Sequence, residues 1–314
     1  MTTTYRNTSR RLGVEMEYNS MDGENRSRGD NDLPVGIYDF ANIIKNTIYK
    51  SVDVTKWQYT NNNYRWAVKP DSSCGVEVCS PPRVANLAID DISKVIENLS
   101  SSGIVKSDYR CSFHVHLEIA DFTENQIVLL IKKWVAAELF FFLLTNPTRW
   151  INQYCVPIGF FCEFDTEQTY FYNNILHKFS ETKYYSVNLY HFSKGKKKTI
   201  EFRIMGNEAC LSKEDAENWC KLLTCFVDRT SKFAGITRTN FEYENFIDII
   251  DFLSLDTYFE DANVVQWVIE KLSNTIDNTD FEIYTKSKFF WKNVIEAKRE
   301  EIMEVLARLE SVLK

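Results

Sequence analysis

Residues 11–18 read RLGVEMEY, and along this stretch apolar residues alternate with small or acidic ones. Successive side chains of a β-strand point to opposite faces, so Val14 and Met16 share one face while Glu15 and Glu17 share the other. Alternation of this kind is typical of a strand that buries one face against a core. The sequence therefore predicts a sheet whose second face carries carboxylates.

Three further segments repeat this alternation and place polar groups on their second face. They are residues 75–79 (GVEVC), 110–119 (RCSFHVHLEI) and 199–204 (TIEFRI). The polar side chains of all four segments are Glu15, Glu17, Glu77, His114, His116, Glu118, Glu201 and Arg203. Each motif alone is more typical of a solvated sheet face or a surface ion pair, but four coincident polar faces with apolar backs favour a site.

If these four strands pair in one sheet, the sheet brings five carboxylates and two imidazoles together. Like charges at such spacing repel one another and raise one another's pKa values. Divalent cations relieve the repulsion, since Mg²⁺ and Mn²⁺ bind carboxylate and water oxygens and Mn²⁺ also accepts an imidazole. The sequence therefore predicts a divalent metal site on the polar face.

Helices account for most of the remaining pattern. Apolar residues recur at helical spacing in residues 38–49, 84–99, 124–145, 212–227 and 289–313, and Ser212 is a candidate N-cap. Other patterns favour a strand at 184–190, a hairpin at 57–68 with its turn at 61–63, an irregular segment at 147–168 and a polar loop at 19–34. We expect an α+β fold with a catalytic sheet region at 1–210 and a helical region at 211–314 packed on the same domain.

The composition excludes several classes of protein. The 314 residues are 44% hydrophobic, with 22 Phe and 16 Tyr but only 10 Gly and 6 Pro, which excludes a disordered or collagen-like chain. The net charge of −7 argues against a nucleic-acid partner and against binding to an anionic membrane surface, but it does not exclude a local basic groove. Residues 135–144, the most apolar window, are too short to cross a bilayer, and no apolar signal stretch opens the sequence, so we expect a cytoplasmic protein.

The cysteines and the phosphate-binding motifs add two further expectations. Eight cysteines are scattered without a C-x-x-C pair, so we interpret them as reduced and mostly buried. Cys79 and Cys111 adjoin the polar motifs, but no base lies at a spacing that would activate a nucleophile, and we interpret both as packing residues. The Gly-rich loop of P-loop proteins is absent from the sequence.

Four motifs, in order along the chain, resemble those of the amidoligase family. They are residues 13–17 (GVEME), residues 71–73 (DSS) with 75–82 (GVEVCSPP), residues 111–116 (CSFHVH), and residues 185–189 (YSVNL) followed by 199–203 (TIEFR). The resemblance covers roughly residues 11 to 210. The family is related to glutamine synthetase and the glutamate–cysteine ligases and is often found in phages and mobile elements.

The resemblance implies an ATP-dependent carboxylate–amine ligase. The implied fold is a curved antiparallel sheet of glutamine-synthetase-like type, with helices on its convex face and two or three Mg²⁺ or Mn²⁺ ions on its concave face. Glu15, His114 and Glu201 resemble the ligands of the metal between the ATP phosphates. Glu17 and Glu77 resemble the ligands of a metal nearer the substrates, and Arg203 resembles the arginine that neutralises the transferring phosphoryl group.

Other roles stay open at the level of the sequence. His116 and Glu118 either support the metal ligands or contact phosphate, and the amine proton goes to Glu118, Asp71 or a substrate phosphate. Lys69, Arg110 and Asn188 are further candidates for binding the nucleotide or substrate, with a structural cap as the alternative for Asn188. The basic turn at 194–198 is either a solvated hairpin or a loop that closes on an anion.

Three rival functions also stay open. A small-molecule kinase would keep the fold and the metals without the amide step, a phage or defence protein would use the polar face only for binding, and a metal-dependent hydrolase would need no nucleotide. For the ligase we expect small-molecule or peptide carboxylate and amine substrates and no membrane partner. A homo-oligomer is compatible with the sequence, and residues 211–314 could cover the site, form a dimer interface or bind a partner.

Overall fold

The computed structural model describes residues 8–20, 33–55, 64–150, 152–159, 172–232, 245–255, 261–277 and 285–314, with only the backbone described for 285–291. The hairpin turn predicted at 61–63 lies outside the described residues, as do most of the loop predicted at 19–34 and the end of the irregular segment predicted at 147–168.

Eight strands and ten α-helices make up the described secondary structure. The strands are β1 (Arg11–Asn19), β2 (Val52–Val54), β3 (Trp66–Asp71), β4 (Gly75–Cys79), β5 (Arg83–Val84), β6 (Phe113–Glu118), β7 (Val187–Asn188) and β8 (Thr199–Phe202). The helices are α1 (Ile37–Ile48), α2 (Ala85–Ser101), α3 (Glu124–Leu143), α4 (Tyr172–Glu181), α5 (Tyr190–Ser193), α6 (Glu208–Leu211), α7 (Lys213–Lys232), α8 (Phe246–Leu253), α9 (Ala262–Asp277) and α10 (Thr285–Leu313), with a short 3₁₀ helix at Pro147–Arg149.

Alternation and helical spacing located most of these elements correctly. The four strands that carry the polar motifs are confirmed as β1, β4, β6 and β8, and the five predicted helices are confirmed as α1, α2, α3, α7 and α10. The predicted strand at 184–190 is mostly wrong, because only Val187–Asn188 are extended and the chain turns into α5 immediately afterwards. The predicted N-cap is confirmed, since the Ser212 hydroxyl accepts a hydrogen bond from the backbone N–H of Asp215.

The chain forms two compact units. The sheet unit consists of Thr8–Glu118 and Glu201–Lys221, and the helical unit contains Ile119–Ile200 and Leu222–Lys314. Helix α7 belongs to both, since it spans the chain boundary at residue 221. The division at residue 210 into a catalytic and a C-terminal region stays a prediction.

The sheet unit is built on an open sheet with β1 in its interior. Its strand order is β2-β3-β4-β1-β6-β8, and β5 pairs with the start of β1. Strand β1 is antiparallel to β4, β5 and β6, and β3 is antiparallel to β4. The expectation of a wholly antiparallel sheet is wrong at one edge, where β2 runs parallel to β3. Eleven residues (55–65) separate β2 from β3, whereas a two-residue hairpin would have imposed the antiparallel direction.

The apolar face of the sheet is covered by helices, as the alternation predicted. Val14, Met16 and Tyr18 are buried, and the Tyr18 ring lies 5.3 Å from the ring of Phe40 on α1. The buried face of α2, which includes Ile92, completes this core. Because the covered face is the one that carries Tyr18, the face that carries Glu15 and Glu17 is the other one.

The turn between β3 and β4 is fixed by Asp71 and requires a glycine. The Asp71 carboxylate accepts hydrogen bonds from the backbone N–H groups of Ser73, at 2.7 Å, and Cys74, at 3.1 Å. Gly75 then adopts a φ of +122°, and a Cβ on it would lie 2.6 Å from the backbone nitrogen of Ser20. Only glycine satisfies both conditions at this position.

We expect Gly75→Ala to lower the free energy of unfolding by about 3 kcal/mol, because backbone strain adds to the displacement of the Ser20 backbone. Gly103→Ala is the matched control, since Gly103 also has a positive φ, of +71°, but a Cβ there meets no atom within 4 Å. The control should cost about 1 kcal/mol. Urea unfolding of both variants checks the difference, and equal losses would contradict the close approach to Ser20.

The helical unit surrounds a buried carboxylate on α3. Glu138 is 1% exposed and accepts hydrogen bonds from the backbone N–H groups of Ile158, at 2.8 Å, and Gly159, at 2.7 Å. The Ser186 hydroxyl also donates to Glu138 and itself accepts from the Trp134 indole at 2.9 Å. Burial raises the pKa of Glu138 to about 7. This network ties the segment after Cys155 and strand β7 to helix α3.

None of the described helices combines the length and the apolar character that a bilayer crossing demands.

Candidate active site

The register of the sheet unit places the predicted polar residues side by side. Glu15 on β1 lies opposite Cys79 on β4 and opposite His114 on β6. One step along, Glu17 lies opposite Glu77, which lies opposite Lys69 on β3. Neighbouring strands are about 5 Å apart, so these side chains meet on the face of the sheet opposite to Tyr18.

Glu15 is the centre of a group of carboxylates and imidazoles. Its Oε1 lies 3.2 Å from Nε2 of His116, and its Oε2 lies 3.6 Å from Nδ1 of His114. The same His114 nitrogen lies 3.5 Å from Oε1 of Glu201 on β8. The other ring nitrogen of His114 is 2.9 Å from the Ser112 hydroxyl, which fixes the orientation of the imidazole.

Two imidazole nitrogens in this group face carboxylates without hydrogen bonds. Nδ1 of His114 and Nε2 of His116 are buried and have no hydrogen-bond partner within the described part of the chain. Leaving such an atom unsatisfied costs about 1–3 kcal/mol. One donor atom from each of Glu15, His116 and Glu201 lies within 4.8 Å of the others. Oxygen and imidazole donors that converge in this way fit a divalent metal ion, which would satisfy the nitrogens.

Arg203 supplies the positive charge of this group. Its guanidinium pairs with Glu201, and the residue is only 7% exposed. Burial works against the charged form, but Glu201 and Glu17 hold the pKa of Arg203 above its ordinary value. A cation therefore lies beside the carboxylate that would hold a metal.

The charges of the group suit metal binding. Burial alone would raise the pKa of Glu15 and of Glu201, but His116 holds the pKa of Glu15 well below its ordinary value, and Arg203 lowers that of Glu201 to about 2. Burial and the nearby Arg203 lower the pKa of His114 to about 4. At neutral pH the two carboxylates are thus anionic and the His114 imidazole is neutral, which are the states in which these groups bind metals.

A second group shares Glu15 with the first. Oε1 of Glu77 contacts the Lys69 ammonium at 2.7 Å and accepts a hydrogen bond from the Cys79 thiol at 3.0 Å. Donor atoms of Glu15, Glu77 and Cys79 all lie within 4.8 Å of one another. Burial and the charge of Glu15 raise the pKa of Glu77.

Glu17 lies next to this second group on β1. Its carboxylate accepts a hydrogen bond from the Ser112 hydroxyl, so the same serine contacts Glu17 and His114. Burial and the neighbouring Asp71 raise the pKa of Glu17 to about 8. A nearby cation would favour the ionised form of this carboxyl.

Several predicted residues make other contacts in the described part of the chain. Arg110 pairs with Asp108 in the turn before β6, with its Nε 3.1 Å from the carboxylate. Asn188 belongs to the helical unit, where its side chain accepts a hydrogen bond from the backbone N–H of Tyr190 in the turn that leads into α5. Glu118 is half-buried at the end of β6, and its backbone carbonyl, not its carboxylate, accepts from Arg10. The carboxylate of Asp71 is engaged in the β3–β4 turn.

Ser112 and Cys79 are the polar contacts that the sequence reading missed. Cys79 lies two residues after Glu77 and Ser112 two residues before His114, so strand alternation alone would have placed each on the polar face. On the sequence alone, Cys79 is interpreted as a packing residue because no activating base lies nearby along the chain, and Ser112 is assigned no role.

Comparison with known proteins agrees with the motifs. A family model described as "Putative amidoligase enzyme" matches residues 11–227. Among solved structures, a similar chain is a bifunctional glutathione synthetase from Pasteurella multocida, with 11% sequence identity and a TM-score of 0.43. The similarity covers 99% of this chain and 52% of that one, so this chain spans about half the length of that relative. No curated protein matches the chain.

Proposed function

The chain belongs to the amidoligase family, and we propose that it is an ATP-dependent carboxylate–amine ligase that forms an amide bond through an acyl phosphate. One observation carries the proposal more than any other. Glu15, the two imidazoles and Glu201 converge on one buried point beside Arg203. The proposal includes a sheet of glutamine-synthetase-like type and a cytoplasmic location. None of the described cysteines forms a disulfide, which is compatible with a reducing compartment.

The chemistry explains why such a site needs cations. A carboxylate does not react with an amine in water, because the leaving group would be oxide. Attack of a carboxylate oxygen on the terminal phosphorus of ATP breaks the bond to ADP and gives an acyl phosphate. The amine nitrogen then attacks the acyl carbon, phosphate leaves, and the nitrogen loses a proton. Both partners of the first step are anions, so their approach requires screening.

The donor set of the sheet unit fits divalent ions, because buried imidazole nitrogens and anionic carboxylates face one another there. We assign one ion to Glu15, His114 and Glu201, with His116 beside them, and a second ion to Glu17 and Glu77. When bound, such ions screen the charges of the polyphosphate and the carboxylate. Preorganised charges of this kind are often the largest contribution to catalysis.

The remaining roles fall to residues of the same unit. We assign Arg203 to the transferring phosphoryl group, since a guanidinium binds phosphate oxygens in a bidentate manner. We assign Lys69 and Arg110 to binding of phosphate oxygens. For Lys69 this requires that its ion pair with Glu77 opens when Glu77 binds its metal. Glu118 is preferred to Asp71 as the general base for the amine, because Asp71 already accepts two backbone hydrogen bonds in its turn, and a substrate phosphate is the third candidate.

Hydroxylamine in place of the amine tests this function without knowledge of the natural amine. The protein is incubated with ATP, Mn²⁺, hydroxylamine and mixtures of amino acids and short peptides, and ADP and hydroxamates are measured by mass spectrometry. We expect ADP and hydroxamate in equal amounts, and neither after metal is removed with a chelator. A stable phosphorylated product that hydroxylamine does not intercept would instead identify a kinase, and turnover without ATP would identify a hydrolase.

A further inference from the structure

We infer that Cys79 is a metal ligand, so that the second metal position of the sheet unit binds a divalent transition-metal ion in preference to Mg²⁺. The inference rests on the proposed function, since it concerns the metal centre assigned there. It adds a sulfur donor to a site that the motifs describe by carboxylates alone.

The position of Cys79 in the sheet puts its sulfur among the carboxylates. Cys79 follows Glu77 by two residues on β4 and therefore projects from the same face. It also lies directly opposite Glu15 on β1. The thiol donates a hydrogen bond to Oε1 of Glu77 at 3.0 Å, and a donor atom of Glu15 lies within 4.8 Å of both.

These separations suit a single ion. Metal–sulfur and metal–oxygen bonds are about 2.3 Å and about 2.1 Å, so two donors of one ion lie no more than about 4.4 Å apart, close to the spacing present. Binding replaces the S–H···O hydrogen bond by sulfur–metal and metal–oxygen bonds, and the thiol proton leaves to water. The Lys69 ammonium, which also contacts Oε1 of Glu77, shifts away from the incoming cation.

A second observation points to a cation at Glu15. Nδ1 of His114 is directed at Glu15 and Glu201, has no hydrogen-bond partner in the described residues, and belongs to a residue that is only 3% exposed. Glu15 thus has an imidazole donor on the β6 side and a sulfur donor on the β4 side. Its two carboxylate oxygens can serve one ion each.

The sulfur determines which metals fit. Mg²⁺ prefers an octahedron of oxygens and keeps several waters, whereas thiolate donors favour softer ions such as Zn²⁺. A cysteine at this place therefore discriminates against Mg²⁺ at the second position and leaves the first position, with oxygen and imidazole donors, unchanged.

Cadmium titration of the full chain tests the inference, because cadmium–thiolate bonds give an ultraviolet charge-transfer band. We compare wild type with Cys79→Ser and with the control Cys74→Ser, a cysteine of the same hairpin that belongs to neither donor group. We expect Cys79→Ser to remove the band and to weaken Cd²⁺ binding by about tenfold or more. The control should keep both, and Mg²⁺ affinity, measured by competition, should be the same in all three proteins.

A measurement on the unmodified protein guards against a variant that folds poorly. Wild type is treated with N-ethylmaleimide with and without Cd²⁺, and alkylation of Cys79 is followed by peptide mass spectrometry. Protection of Cys79 by Cd²⁺ supports the inference. A band that persists in Cys79→Ser, or alkylation of Cys79 that Cd²⁺ does not slow, overturns the inference while leaving the proposed function intact. If neither Cd²⁺ nor Mn²⁺ binds at all, the metal centre of the proposed function fails with it.

Discussion

Glu15→Gln is expected to lower metal affinity by about a hundredfold or more and to remove metal-dependent ADP formation. Glu15 is assigned to the first ion, and it is also the residue that both donor groups share, so its replacement changes the surroundings of Glu77 and Cys79 as well. Glutamine keeps the shape of the side chain but loses the charge, and its amide nitrogen is a donor that would face the imidazoles. Loss of even an outer-shell partner of a metal site costs 10–100-fold, and a direct shared ligand should cost at least the upper value.

Isothermal titration with Mn²⁺ and an assay for ADP measure the two effects. Glu97→Gln is the matched control, because Glu97 lies in the same unit and pairs with Lys213 at 2.9 Å on an exposed surface. The control should keep wild-type Mn²⁺ affinity and ADP formation. Glu15→Gln should retain a cooperative thermal transition, which separates loss of the site from loss of the fold. Wild-type Mn²⁺ affinity in a folded Glu15→Gln protein would contradict the assigned centre.

Alternation predicted which face of each strand is polar, but it could not predict how the strands pair. The pairing decides which side chains meet. Glu17 meets Glu77, and Glu15 meets His114, only because β1 lies between β4 and β6 in this particular register. A shift of one residue would exchange the two faces, so the register follows from burial of the apolar face and from turn geometry, not from the motif itself.

Two other differences from the sequence reading have local causes. Strand β2 is three residues long, which is too short for an alternating pattern to be recognised. Its parallel pairing with β3 at the edge of the sheet was therefore not predicted. Asn188 looked like a candidate for substrate binding because it precedes the strand of Glu201. Its side chain instead accepts from the Tyr190 backbone N–H, which is a common alternative for an asparagine before a helical turn.

The site residues also form two sets: those whose position alternation predicts, and those whose contacts depend on how the strands pair. His114, His116 and Glu201 were predicted on the polar face, and the structure brings them to Glu15. The pairing of Lys69 with Glu77 is a contact between two strands, which no local pattern contains. Contacts between residues distant in sequence, such as the link from Ser112 to Glu17, depend on the completed sheet.

Arg203→Ala is expected to reduce the rate of phosphoryl transfer by about a thousandfold, the lower end of what an arginine at a transferring phosphoryl group contributes. The structure adds a second consequence. Arg203 pairs with Glu201 and is 7% exposed, so its removal leaves a buried carboxylate without its cation. Breaking a buried pair in this way costs about 3–5 kcal/mol, and we expect the metal-free variant to unfold at a lower urea concentration.

Bound Mn²⁺ should reverse part of that loss, because a cation at Glu201 replaces the charge of the guanidinium. Catalysis should not recover, since the ion cannot also form the bidentate contact with the phosphoryl oxygens. Arg203→Lys separates the two roles, because it restores the charge beside Glu201 but not the planar pair of donors. The free energy of unfolding should therefore be closer to wild type than in Arg203→Ala, while the rate of phosphoryl transfer should stay low. Arg65→Ala, which removes an exposed pair with Asp53 in the same unit, should change neither quantity. A rate in Arg203→Ala within tenfold of wild type, measured as ADP formation at saturating Mn²⁺, would limit Arg203 to holding Glu201 in place.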